Sequence, residues 1–138
     1  MRPWLYLIII ASSVIAGCQT GNPQTPALVE YERSGGITGQ TVRLVIQDNG
    51  SARLYARADS TTLAVGADPL ERLKGLLQSI RFDTLRAEYR PSQAGADRYE
   101  YVITHRGRSV RCQDGAVPAD LQPLIAALNE LVRSRPPR

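Results

Sequence analysis

The side chains on either side of Asp48-Asn49-Gly50 leave this chain few folds to choose from. Val42, Leu44 and Ile46 alternate with Thr41, Arg43 and Gln47 on the way in, and Ala52, Leu54 and Ala56 alternate with Arg53 and Tyr55 on the way out. Alternation with a period of two marks a half-buried strand. A two-residue Asn49-Gly50 loop would set Ile46 opposite Arg53 and Leu44 opposite Tyr55. A three-residue Asp48-Asn49-Gly50 loop sets Ile46 opposite Ala52, Leu44 opposite Leu54 and Val42 opposite Ala56. A one-residue slip carries a strand's whole apolar set to the wrong face, so the three-residue loop is expected. Gly50 then takes the left-handed position of the accompanying bulge. Such a hairpin has one greasy face that other elements must cover.

The remaining pattern supplies those elements. Val29, Tyr31 and Arg33 alternate with Glu30 and Glu32 in a preceding strand, which stops at Ser34-Gly35-Gly36-Ile37-Thr38-Gly39. Residues 62–65 are expected to add a short fourth strand. Asp68-Pro69-Leu70-Glu71 has the form of a helix start, with Asp68 as N-cap, Pro69 at the first helical position and Glu71 closing a capping box. Leu70, Leu73, Leu77 and Ile80 follow at helical spacing, and Phe82 and Leu85 plug the edge of the core. Residues 89–96 read as a loop rich in Pro, Ser and Gly. Tyr99, Tyr101 and Ile103 alternate in a further strand, and a two-residue Arg106-Gly107 turn would bring Val110 opposite Ile103 and Cys112 opposite Tyr101. A last helix carries Leu121, Leu124, Ile125, Leu128, Leu131 and Val132 as a wide apolar stripe. Pro123 is tolerated only in its first turn, which makes Asp120 the expected N-cap. The order is β-β-β-β-α-β-β-α: an α+β domain, with an antiparallel β-sheet covered on one face by two helices.

The first residues have a different character. Arg2 is followed by a continuous apolar run from Trp4 to Ile10 and then by Ile15-Ala16-Gly17-Cys18. A positive end, an apolar stretch of about a dozen residues and small residues at a cleavage point are the parts of a secretory signal, too short to span a ~30 Å hydrocarbon core. The tetrapeptide resembles the lipobox of bacterial prolipoproteins. That resemblance implies cleavage before Cys18, acylation of its thiol and attachment to a membrane, effectively permanent once two or more chains are buried. Gln19, rather than an aspartate, follows the cysteine, which favours the outer membrane, facing the periplasm, if the host is Gram-negative. The chain thus divides into a signal peptide (1–17), a lipidated cysteine with a polar, proline-containing tether (18–27), one α+β domain (28–133) and a basic tail (134–138).

Losing Arg2 with the leader takes the 17 basic side chains to 16 against 13 acidic ones, a net charge of +3 against +4 for the whole chain. All of those bases but Lys74 are arginine, and they alternate with acids and apolar residues without forming a basic block. Nucleic acid is therefore not an expected partner. With Cys18 acylated, Cys112 has no cysteine to pair with, so the domain must be held by its core alone.

Catalytic chemistry is barely visible. His105 is the sole histidine, so a zinc site would need carboxylates at no recognisable spacing. The hairpin register puts His105 and Cys112 roughly 13 Å apart at ~3.3 Å per residue, too far for a nucleophile and its base. Cys112 is expected to be a small buried hydrophobe and His105 a partly exposed turn residue. Asp48-Asn49-Gly50 and Asp114-Gly115 are turns without calcium-ligand spacing. No metal, cofactor or catalytic residue is expected.

Taken in order, several spaced pieces are similar to the emfourin-type (protealysin inhibitor) family of thermolysin-like metalloprotease inhibitors. They are Ser34-Gly35-Gly36-Ile37-Thr38-Gly39, Asp48-Asn49-Gly50, the Leu70/Leu73/Leu77 helix with Phe82, Tyr89-Arg90-Pro91, Ala96-Asp97-Arg98-Tyr99-Glu100-Tyr101, Gly107-Arg108-Ser109-Val110 and Asp114-Gly115-Ala116-Val117-Pro118. The resemblance spans nearly the whole domain. It implies a reversible, non-catalytic inhibitor of a secreted or envelope zinc metalloprotease, with Gly35, Gly36, Ile37, Thr38 and Gly39 as the protease-binding loop. Thermolysin-like enzymes prefer a bulky apolar side chain just after the scissile bond, and glycines let a backbone approach closely while one side chain projects. Ile37 is then either that projecting anchor or a residue folded back into the core over a tight turn. The alternative function is a non-catalytic envelope lipoprotein whose domain binds another protein or a cell-wall polymer.

Overall fold

The Asp48-Asn49-Gly50 loop closes with the parity its neighbours require. In the computed structural model, which describes residues 26–134 apart from 94 and 96, Val42 lies opposite Ala56, Leu44 opposite Leu54 and Ile46 opposite Ala52. Gly50 takes φ 84°, and its carbonyl accepts the Val65 N–H at 2.9 Å. The leader, Cys18 and most of the tether lie outside the described residues.

Seven strands form one sheet. They are β1 (Ala27–Gly35), β2 (Val42–Gln47), β3 (Ser51–Ala56), β4 (Asp59–Ala64), β5 (Glu88–Tyr89), β6 (Tyr99–His105) and β7 (Arg108–Gln113), in the spatial order β4-β3-β2-β1-β6-β7-β5. The first strand begins inside the expected tether, at Ala27. The fourth begins three residues before residue 62, because Asp59 through Ala64 pair along the full length of β3. Arg106 and Gly107 both have positive φ, 49° and 77°, the geometry of a two-residue hairpin turn matched to strand twist. The β6–β7 register is accordingly Ile103 against Val110 and Tyr101 against Cys112.

The sheet is not wholly antiparallel. Glu88 and Tyr89, expected in or beside a loop, run parallel to Arg111 and Cys112 at the outer edge. Two residues are too few for any periodicity to announce a strand. The Arg111 N–H donating to the Ala87 carbonyl at 2.9 Å holds the segment there.

Helix α1 (Ala67–Ser79) and helix α2 (Gln122–Arg133) contribute to the core beside the sheet. Neither starts as the capping pattern suggested. The Leu70 N–H donates to the Gly66 carbonyl at 3.0 Å, so α1 begins at Ala67 with Gly66 as its N-cap and no side-chain cap. Pro69 stays within the first turn, where a missing N–H costs nothing. Asp120 sits inside a short 3-10 turn (Ala119–Leu121) that leads into α2, and Pro123 falls in the first turn of that helix. From the strands, Val29, Tyr31, Leu44, Ile46, Leu54, Ile103, Val110 and Cys112 meet Leu73, Leu77, Leu121, Leu124 and Leu128 in one core. Fully burying each large aliphatic side chain contributes about 1.5–3 kcal/mol. Every buried hydrophobic side chain described lies between Val29 and Leu128.

The other face of the sheet is polar. Arg43 donates to Glu30 at 2.7 Å, Arg111 donates to Glu100 at 3.1 Å, and the Thr104 and Ser109 hydroxyls are 2.6 Å apart. Exposed pairs of this kind contribute little stability each.

Candidate functional site

The chain reverses between β1 and β2 through the Gly35–Gly39 loop, and its geometry demands the glycines. Gly35, Gly36 and Gly39 have φ of 100°, 70° and 58°. The Gly39 N–H donates to the Gly36 carbonyl at 3.0 Å, closing a four-residue turn with Ile37 and Thr38 at its tip. A second constraint comes from the neighbouring strand. The Gly36 N–H donates to the Arg98 carbonyl at 3.3 Å. A Cβ on Gly35 would stand 2.4 Å from that oxygen, and one on Gly36 would stand 2.8 Å from the Tyr99 ring.

The segment that presses on the loop is itself held. Asp114 accepts the Tyr99 N–H at 3.1 Å on Oδ2 and the Tyr101 hydroxyl at 2.8 Å on Oδ1. The Arg98 guanidinium donates to the Asp114 carbonyl at 2.7 Å and packs over Gly95 and Gly115, where a Cβ would oblige it to shift. On the far side, Arg33 lies 5.1 Å from the centre of the Tyr99 ring and donates to Asn129 Oδ1 at 2.7 Å. The same oxygen accepts the Tyr31 hydroxyl at 2.9 Å, which ties β1 to α2. Burial is the main reason that the Tyr31 and Tyr101 hydroxyls are held above the ordinary tyrosine range, so both stay protonated as donors.

On this brace Ile37 stands 90 % exposed, and the Tyr99 ring beneath the loop is 37 % exposed. Ile37 is an outward side chain, not a core residue. An isoleucine left in water forgoes roughly 1.5–3 kcal/mol of burial that a partner can recover. Thr38 and Gly39 are exposed beside it, while Gly35 and Gly36 are half-buried against Arg98 and Tyr99. The five loop residues lie together in one turn, and Cys18 lies outside the described residues.

Arg98, Tyr99 and Asp114 stood in the sequence as pieces of a strand and a turn, and the fold brings them under the loop. Their spacing from the glycines, over sixty residues, carries no local signal. Alternation placed Arg33 on the face of Val29 and Tyr31 but did not point to its partners, and Asn129 gave no signal at all.

The residues weighed for catalysis stay apart. Cys112 is fully buried, and burial pushes its thiol up to about 11, so it is a protonated hydrophobe at neutral pH. His105 pairs with Arg108 at one end of the hairpin and Cys112 with Tyr101 four residues along, roughly 13 Å at ~3.3 Å per residue. His105 is not the partly exposed residue its turn position suggested, for it is only 8 % exposed. Its Nδ1 donates to the Leu28 carbonyl at 2.6 Å and its ring lies against Phe82, so the start of β1 covers it. Among the described residues no group of three or more His, Cys, Asp or Glu side chains is gathered as metal ligands. No protein-family model and no curated protein matches the chain.

Proposed function

We propose that this chain is a membrane-anchored, reversible proteinaceous inhibitor of a thermolysin-like zinc metalloprotease, and that it binds through the Gly35–Gly39 loop. One observation carries the reading: a single large apolar side chain, Ile37, stands in water at the tip of a rigidly braced loop. Interfaces concentrate their energy in a few such anchors, and a pre-organised loop loses little entropy on binding. The resemblance to emfourin-type inhibitors supplies the partner class, since those proteases accept a bulky apolar side chain. The turn bond between Gly36 and Gly39 keeps the loop from lying as an extended substrate strand, which opposes its cleavage.

The poles of the domain fit an anchored inhibitor. The described chain enters β1 at Ala27 and reaches the loop at Gly35, roughly 26 Å away at ~3.3 Å per residue. An anchor on Cys18 would hold one pole near the lipid and leave Ile37 at the other.

The test pairs an inhibition constant with a thermal melt on residues 19–138, wild type and Ile37→Asp. A desolvated carboxylate finds no partner in an apolar pocket, so inhibition should weaken by several kcal/mol while the melt changes little. A wild-type domain that leaves thermolysin-like proteases fully active would defeat the reading and promote the envelope binding module.

A further inference from the structure

At the opposite pole from the glycine loop, the start of β1, the β2–β3 turn and the β6–β7 turn surround a pocket of about 610 Å³. Its apolar lining comes from Leu28, Leu77, Ile80 and Phe82. That volume is in the range of small-molecule sites, which combine apolar walls with a few converging polar groups.

His105 supplies one of those groups. A carbonyl only accepts, so the ring nitrogen that meets Leu28 must carry the proton, and Nδ1 is committed. Among the described residues Nε2 has no hydrogen-bond partner, and with the proton on Nδ1 it is the accepting nitrogen of the ring. No occluded side-chain nitrogen or oxygen among the described residues lacks a hydrogen bond, so Nε2 is not sealed in the core. On a residue 8 % exposed that lines this pocket, its opening is into the pocket.

The charges on the rim decide what class of ligand fits. Five charged residues line it: Asp48, Lys74, Asp83, Arg106 and Arg108. Asp48 is within 3.7 Å of Lys74, which also lies 3.5 Å from Glu71, and Asp83 is within 3.9 Å of Arg81. Arg108 donates to a neutral oxygen, the Leu85 carbonyl, at 2.7 Å. Arg106, at the tip of the hairpin, makes no ion pair among the described residues. The rim therefore carries three cations against two carboxylates, and the excess positive charge lies with the two arginines beside the imidazole.

We propose that this pocket binds a small amphipathic carboxylate. The apolar group lies on Leu77, Ile80 and Phe82, and the carboxylate is held by Arg106 and Arg108 at the hairpin turn, with the His105 ring in the pocket wall beside it. Such a carboxylate can come from a medium-length acyl chain or from the C-terminal residue of a peptide ending in an apolar side chain. The site is independent of the glycine loop and of the inhibitor reading.

His105 is the sole histidine, so the ring resonances of an untagged 19–138 protein report on this pocket alone. That protein is titrated separately with decanoate below its micelle concentration and with N-acetyl-leucine, each beside its neutral analogue, decanol or N-acetyl-leucine amide. The expected result is a saturable shift of the His105 ring with at least one carboxylate, and at least tenfold weaker binding of its neutral analogue. Arg106→Asn removes the charge at an exposed turn position while tolerating positive φ, and should weaken the carboxylate at least tenfold with an unchanged melt. Saturation by decanoate alone assigns an acyl chain, and by N-acetyl-leucine alone a peptide terminus. No saturable shift with either, equal binding of the neutral analogues, or full affinity in Arg106→Asn overturns the proposal.

Discussion

Asp114 holds the backbone of Tyr99 twice, once with its own backbone and once with its carboxylate. The Asp114 N–H donates to the Tyr99 carbonyl at 3.0 Å, and the Tyr99 N–H donates to the Asp114 carboxylate at 3.1 Å. The other carboxylate oxygen takes the Tyr101 hydroxyl, so one side chain fixes the segment against which Gly35 and Gly36 lie. Asp114→Ala should therefore cost about 2–4 kcal/mol in urea denaturation, since it leaves the half-buried Tyr101 hydroxyl without its acceptor. It should also speed hydrogen exchange at the Gly36 amide. An unchanged exchange rate there would disconnect Asp114 from the loop.

The loop's glycines should differ in their tolerance of a methyl group. Gly35→Ala meets both positive φ and the Arg98 carbonyl, and should cost more than about 2 kcal/mol. Gly39→Ala meets nothing within 4 Å and bears only the left-handed penalty, about 1–2 kcal/mol. Gly39→Asn should recover part of that loss. Equal melts for the Gly35 and Gly39 alanine variants would contradict the close approach of Arg98.

Cys112 links stability to alkaline pH. Its thiol titrates near 9.0 when free and near 11 in the fold, because burial opposes the thiolate. The folded state thus favours the proton, and the stability this contributes is intact below about pH 9 and is lost as pH rises toward 11. The loss is on the order of 2–3 kcal/mol, with Tyr31 and Tyr101, raised by the same cause, adding to it at higher pH. Melts measured from pH 8 to 11 should fall, and Cys112→Ala should flatten the lower part of the decline. Cys112→Ser should cost about 1–2 kcal/mol at pH 7. Rapid labelling of the native thiol would show that this side of β7 is open.

The anchor has its own test. Cys18→Ala removes the acyl acceptor, so metabolic labelling with a fatty-acid analogue should vanish and the chain should remain unprocessed. Labelling that persists in the variant would refute lipidation at Cys18.

Much of the fold was legible because periodicity states which face of an element is buried. Parity across Asp48-Asn49-Gly50 and Arg106-Gly107 determined both hairpin registers, and the leucine spacing determined the inward stripes of α1 and α2. The helix starts were less legible. A proline is acceptable anywhere in a first turn, so Pro69 and Pro123 left the caps free to shift by a residue or two.

By itself, then, the sequence determined the hairpins, the helical stripes and the need for glycine between β1 and β2, all of which follow from side-chain alternation and backbone sterics over a few residues. Only the tertiary structure decided that β1 lies between β2 and β6, which brings Arg98 and Tyr99 against Gly35 and Gly36 and turns Ile37 out into water. It also decided that Glu88–Tyr89 joins the sheet edge and that the start of β1 covers His105. These outcomes rest on pairings between residues far apart in the chain. The energy of such a pairing depends on which strand becomes the neighbour, and no local window of sequence contains that choice.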